Sequence, residues 1–262
     1  MAFIAANGIT MNYDLRGPLG APVVMFANSL GTSLASWDQQ VATLAQRHRI
    51  LRYDMRGHGL SEAPPGAYTM DQLADDALGL VAALQLERVH FCGLSIGGMV
   101  AQRVAAKAPQ RIASVVLCDT ASVIGPPKVW DDRVAAVRAG GMAAIVDAVL
   151  ARWFTAEFRA GAAPELKGFA TMLARTPVEG YAGCCLAIRD ADLRVDAAQI
   201  KCPTLIVVGE EDVVTPPSAA QELAGAIKGA HITLIEGAAH IPIAERPDAI
   251  TGLLGEFFKA AR

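Results

Sequence analysis

The sequence is short of everything that would take a chain to a membrane or a nucleic acid. Its 262 residues carry 23 Lys and Arg against 26 Asp and Glu, a net charge of −3 with a pI near 6.0. No basic excess offers itself to phosphate, so a nucleic-acid partner and an anionic membrane are excluded as expectations. Any attraction for an anionic substrate must come from arginines placed locally. No stretch of about 18 apolar residues runs uninterrupted, which excludes a membrane-spanning helix. The first residues, Met1 to Gly8, lack a basic segment followed by a long apolar one, so no signal peptide is expected. Cysteines are few and odd in number: Cys92, Cys118, Cys184, Cys185 and Cys202. Most lie inside apolar runs, which predicts reduced core residues of a cytoplasmic protein and excludes a disulfide framework. No Cys/His cluster has zinc spacing, and no repeat or low-complexity tract interrupts the chain. The length suits one core domain with room for an insertion.

What is present is organised around Gly93-Leu94-Ser95-Ile96-Gly97. A nucleophilic serine must stand clear of the backbone on a sharp strand-to-helix turn. There the backbone crowds itself, and the two glycines remove the Cβ atoms that would collide. The flanks agree: Arg88–Cys92 reads as a short buried strand and Ile96–Ala108 as a helix stopped by Pro109.

Upstream, Phe3–Ala6 and Thr10–Arg16 are separated by Asn7-Gly8, a hairpin signal. Pro22–Ala27 is an apolar run, as in a strand covered on both faces. It opens into Asn28-Ser29-Leu30-Gly31-Thr32-Ser33, where a second backbone N–H for an oxyanion would sit; Leu30 and Ile96 are the expected donors. Ser36–Gln46 has helical spacing, Arg49–Asp54 reads as a strand and Asp71–Leu84 as a helix. His58, in the turn Arg56-Gly57-His58-Gly59, is assigned a loop role in preference to that of a base. Ile112–Asp119 is a further buried strand.

From 121 to 196 strand-like runs give way to helical ones: Trp130–Val137, Met142–Phe154, Glu165–Arg175 and Val178–Ala191. This stretch is expected to be a helical cap inserted into a core made of 1–120 and 197–262. Strands resume at Thr204–Gly209 and His231–Ile235, alternating with helices at Pro217–Ile227 and Arg246–Ala261. Strands alternating with helices predict an α/β fold with a mostly parallel sheet flanked by helices.

In such a sheet the reacting groups gather at the carboxyl ends of the strands. Asp212 follows one late strand and His240 the next. The chain order Ser95, Asp212, His240 is that of a nucleophile, orienting acid and base on an α/β-hydrolase sheet. Glu210, Glu211 and Asp119 are rivals for the acid, and Asp212 is favoured by position.

Several segments resemble the α/β-hydrolases and, more narrowly, the 3-oxoadipate enol-lactonases of bacterial aromatic catabolism. They are Phe26–Thr32, Tyr53–Gly59, Gly93–Gly98, Arg152-Trp153-Phe154-Thr155 and Gly237–His240. The Asn-Ser-Leu-Gly loop departs from the His-Gly-x-Pro form of many relatives, a departure the lactonases share. The resemblance implies hydrolysis of 3-oxoadipate enol-lactone in the β-ketoadipate pathway, without metal or other cofactor. The substrate it implies is a small anionic lactone, whose carboxylate needs an arginine. Arg133, Arg138 and Arg152 are candidates in the cap. Arg133 shares a helix face with Trp130, and Trp153 and Ser29 are further candidates for the pocket. A carboxylesterase, a carbon–carbon bond hydrolase or a non-turnover receptor on the same fold are the alternatives. The oligomeric state is open, a homo-oligomer included.

Overall fold

The computed structural model describes residues 2–261. Eight strands form one sheet: β1 (Ala2–Ala6), β2 (Ile9–Arg16), β3 (Val23–Ala27), β4 (Arg49–Tyr53), β5 (Val89–Leu94), β6 (Ile112–Cys118), β7 (Thr204–Gly209) and β8 (His231–Ile235). Their order is β1-β2-β4-β3-β5-β6-β7-β8. The first hairpin pairs antiparallel, β2 joins β4 antiparallel, and every later pairing is parallel.

Twelve α-helices occupy the described residues. They are α1 (Asp38–Leu44), α2 (Met70–Ala83), α3 (Ile96–Lys107), α4 (Pro127–Gly140), α5 (Val146–Trp153), α6 (Ala156–Gly161), α7 (Ala163–Ala174), α8 (Val178–Arg189), α9 (Arg194–Gln199), α10 (Pro217–Ala226), α11 (Pro242–Glu245) and α12 (Pro247–Ala260). Every residue of β5 and β7 is buried, because helices cover both faces of the sheet's centre. None of the described helices is long and apolar enough to cross a membrane.

The expected elements are found, with local differences. The 36–46 helix is split: a 3₁₀ turn over Leu34–Trp37, capped by Ser33, leads into α1. The buried Trp37 ring stacks on Phe26 of β3 at 4.5 Å, and this packing fixes the entry to the helix. Met142–Phe154 divides likewise into a 3₁₀ turn over Met142–Ile145 and α5. Three short helices, α6, α9 and α11, have no counterpart in the periodicity; with four to six residues each they are too short to show one. No strand occurs between β6 and β7, and α9 runs across position 196. The cysteines are all free; four are buried and Cys202 is partly so.

Candidate active site

Strand β5 ends at Leu94 and α3 begins at Ile96, so Ser95 is the single residue between them. Its backbone lies at φ 57°, ψ −118°, a strained conformation for a residue with a side chain. Glycine is needed on both sides. A Cβ on Gly93 would lie 2.1 Å from the Gly97 carbonyl oxygen, and one on Gly97 2.5 Å from that of Ala27. The turn is held by four bonds: Ser95 N–H donates to Cys118 O at 2.9 Å, and Ser95 O accepts from Gly98 N–H at 2.9 Å, Met99 N–H at 3.1 Å and Thr120 Oγ1 at 2.7 Å.

Asp212 and His240 come together from the ends of β7 and β8. His240 Nδ1 lies 2.8 Å from Asp212 Oδ2, and both side chains are buried. Asp212 also accepts from Val214 N–H at 2.7 Å, Thr215 N–H at 3.1 Å and Thr215 Oγ1 at 2.7 Å. Burial alone would push its carboxyl up. The His240 interaction and these donors outweigh burial and hold it below the ordinary carboxylate range. An ionised Asp212 can only accept, so the proton between them sits on His240 Nδ1 and Nε2 is left as the basic nitrogen. A hydrogen bond between Ser95 and His240 is not among those of the described residues. Such contacts are often long in an unliganded site and tighten with substrate.

The loop after β3 lies against the elbow, as the Gly97–Ala27 contact shows. Leu30 and Ile96 are buried, and among the described residues neither backbone N–H donates to a backbone or side-chain acceptor. Ser29 is buried too; its carbonyl accepts from Thr32 N–H at 3.1 Å and Thr32 Oγ1 at 2.8 Å, which closes the loop on itself.

His58 holds this loop in place. Its Nε2 accepts from Gly31 N–H at 2.8 Å and its Nδ1 faces Arg56 O at 3.2 Å, an arrangement that suits a neutral ring. Arg56 is itself fixed by a fork onto buried Asp76 of α2, at 2.8 and 2.6 Å. A chain of contacts therefore runs from α2 through Arg56 and His58 to Gly31, which is the loop role expected of His58.

Burial, the largest influence on His58, lowers its pKa from the ordinary 6.5. The unfolded ring takes up a proton below 6.5 while the folded ring stays neutral, so the unfolded state binds more protons there. Stability should then fall as pH drops from 6.5, by up to about 1.4 kcal/mol per pH unit from this one group. Urea midpoints between about pH 7 and 5 should slope less in His58→Gln than in the wild type. Parallel slopes would mean that His58 is not the neutral strut described.

Of the candidates between 121 and 196, Trp130, Arg133 and Trp153 line one cavity of about 150 Å³ together with Arg152, Val149 and Val214. Arg133 is half-buried: its guanidinium lies 5.3 Å from the Trp130 ring centre and donates to Tyr181 Oη at 3.4 Å. Trp153 connects this cavity to the other loops. A Cβ on Gly31 would lie 3.6 Å from its ring, and its carbonyl accepts from Ile241 N–H, next to His240, at 3.2 Å. Arg138 does not line the cavity and pairs instead with Glu179 on the surface at 2.9 Å.

Four residues with a part in this geometry carry no local sequence signal. Thr215 and Thr120 are noted above. Glu245 of α11 is buried and accepts from Thr155 N–H and Oγ1, both at 2.8 Å, and from Ala239 N–H at 2.6 Å. It thereby ties the segment after α5 to the residue before His240. Tyr181, wholly buried in α8, receives Arg133.

A profile of the α/β hydrolase fold matches residues 22–247. The chain belongs to that family and is a hydrolase. Among curated proteins it is similar to 3-oxoadipate enol-lactonase 2 of Acinetobacter baylyi, 36% identical over 94% of this chain and 92% of the relative. Among solved structures it is similar to the enol-lactonase of Burkholderia xenovorans, with a TM-score of 0.97 and 44% identity over 98% of this chain and all of that one. It also matches a thermophilic esterase from Thermogutta terrifontis, with a TM-score of 0.94 and 27% identity over 100% and 99% of the two chains.

Proposed function

We propose that the chain opens 3-oxoadipate enol-lactone to 3-oxoadipate by serine acyl transfer. The observation that carries this reading is the buried Asp212–His240 pair following β7 and β8, together with a serine on a strained elbow after β5 of the same sheet, in a chain similar over nearly its whole length to enol-lactonases. His240 Nε2 takes the Ser95 proton as Oγ attacks the lactone carbonyl, and Asp212 steadies the imidazolium that forms. The N–H groups of Leu30 and Ile96 receive the oxyanion; loss of one such donor costs about 3 kcal/mol. Because the lactone is cyclic, the leaving enolate remains part of the acyl-enzyme. Water activated by His240 then releases the product. No step calls for a metal or other cofactor.

The 121–196 region serves as the cap. Its cavity supplies the carboxylate site, with Arg133 as anchor, Arg152 beside it, and Trp130 and Trp153 as walls. Tyr181 and Trp130 fix the Arg133 guanidinium before substrate arrives, which limits the entropy lost on binding. Ser29 contributes through the shape of its loop. The substrate needs no nucleic-acid or membrane partner.

Arg133→Ala should raise KM for the anionic lactone roughly tenfold to a hundredfold and leave a neutral short-chain ester nearly unaffected. Equal rises for both substrates would remove Arg133 from the carboxylate site.

A further inference from the structure

The site contains a second buried acid that the reaction as written does not use. Asp119 follows the last residue of β6, at φ 42°, and is wholly buried. Its N–H donates to Val207 O at 2.8 Å, and its Oδ1 accepts from Gly209 N–H at 2.8 Å. Both bonds pin it between the ends of β6 and β7. Its Oδ2 is buried and, among the described residues, accepts from no donor. Asp119, Asp212 and His240 each place a polar atom within 4.8 Å of the others'.

Two buried carboxylates this close repel, which disfavours the state in which both are charged. Asp212 has four donors, His240 included, whereas Asp119 has only the Gly209 amide. The charge therefore settles on Asp212 and the proton on Asp119, which can then bond to Asp212 as a donor. The other influence on Asp119 is the thiol of Cys118, its neighbour in the chain, which Cys92 of β5 contacts; the His240 imidazole also lies within 4.8 Å. Burial first, and the Asp212 charge second, push the Asp119 carboxyl well above its ordinary range, in keeping with that arrangement.

We propose that Asp119 is a positioning residue: a neutral acid that braces the Asp212 carboxylate, and a reserve acid that orients His240 when Asp212 is lost. This rests on the Ser95–His240–Asp212 reading above. With Asp212 gone, the charge that keeps Asp119 neutral is gone as well. Its carboxyl, already within 4.8 Å of the imidazole, is then free to ionise and hold it.

The test compares kcat and its pH dependence across four variants of the full chain, each checked for folding by thermal melting. Asp212→Ala should lose only about 10²-fold in kcat, against the ~10⁴-fold expected when an orienting acid has no substitute. Adding Asp119→Asn to it should bring the loss to about 10⁴-fold. In the presence of Asp212, Asp119→Leu should lower kcat about tenfold and shift the acid limb of the pH profile. Asp119→Asn, which restores a donor toward Asp212, should recover most of that loss. If Asp212→Ala and the double variant are equally inactive, or if Asn rescues no better than Leu, Asp119 only fills space. Should Asp119→Leu fail to fold, the Asp212→Ala pair decides alone. Ser95→Ala in parallel keeps the two readings apart: activity that survives it defeats the triad itself, whereas failure of the Asp119 arms with Ser95 still required defeats only this proposal.

Discussion

Ser95→Ala is expected to lower kcat by ~10⁴-fold or more for any ester or lactone the protein turns over, while leaving the fold in place. The expectation comes from the geometry of one residue. Ser95 is the only residue between β5 and α3, and its hydroxyl appears in none of the hydrogen bonds that hold the turn together. Those bonds use its backbone, so removing Oγ costs the structure little. The same backbone conformation, φ 57° and ψ −118°, is one that glycine adopts without penalty. Ser95→Gly should therefore be more stable than the wild type by about 1 kcal/mol and equally inactive. Melting temperatures and single-turnover rates for the two variants check both statements. Substantial activity in either would place the nucleophile elsewhere, and a clear loss of stability in Ser95→Gly would mean that the elbow is not strained.

The second large effect concerns the glycine two residues earlier. In Gly93→Ala the new methyl carbon would stand 2.1 Å from the Gly97 carbonyl oxygen and 2.3 Å from its carbon. Neither neighbour can yield as the tip of a flexible side chain could, because both are backbone atoms at the start of α3. Either the elbow opens or the packing of β5 against α3 gives way. Overpacking of this kind costs about 3 kcal/mol, and a displacement of about 1 Å at the reacting group is enough to lose roughly 10²-fold in rate. Stability and kcat should therefore fall together. Gly168→Ala is the control: Gly168 is exposed in the middle of α7 with nothing within 4 Å of an added Cβ, so it should gain up to about 1 kcal/mol. A Gly93→Ala protein that melts and turns over like the wild type would show that the crowding is relieved more cheaply than the contacts allow.

The steric demand at Gly93 and Gly97 also explains why the elbow is legible in the sequence. The elbow is a local device, and its steric demand is written into five consecutive residues. The central strands were readable for a similar reason: burial on both faces leaves continuous apolar runs such as Leu205–Val208. Asp212 and His240 could be placed because strand ends locate them, and the structure joins them at 2.8 Å. What the sequence did not show depends on contacts between distant segments. His58 supports the loop at Gly31 from 27 positions away, and Glu245 reaches Thr155 across 90. No spacing announces such pairs. The 121–196 segment was readable as helical, but the cavity it lines was not. That Arg138 pairs with Glu179 and that Arg133 donates to Tyr181 is decided by how α4 packs on α8, whereas the Arg133–Trp130 contact is local to α4. Asp119 shows the same limit. Position made it a rival for the acid, but its relation to Asp212 rests on which carboxylate collects the donors.

The central claim is tested most directly by kcat/KM for 3-oxoadipate enol-lactone measured beside a neutral short-chain ester, each repeated with Ser95→Ala. A strong preference for the lactone that disappears in the variant is the predicted result. A preference for the neutral ester that also requires Ser95 would contradict the assigned substrate while leaving the nucleophile in place. Lactone hydrolysis that persists without Ser95 would contradict the mechanism.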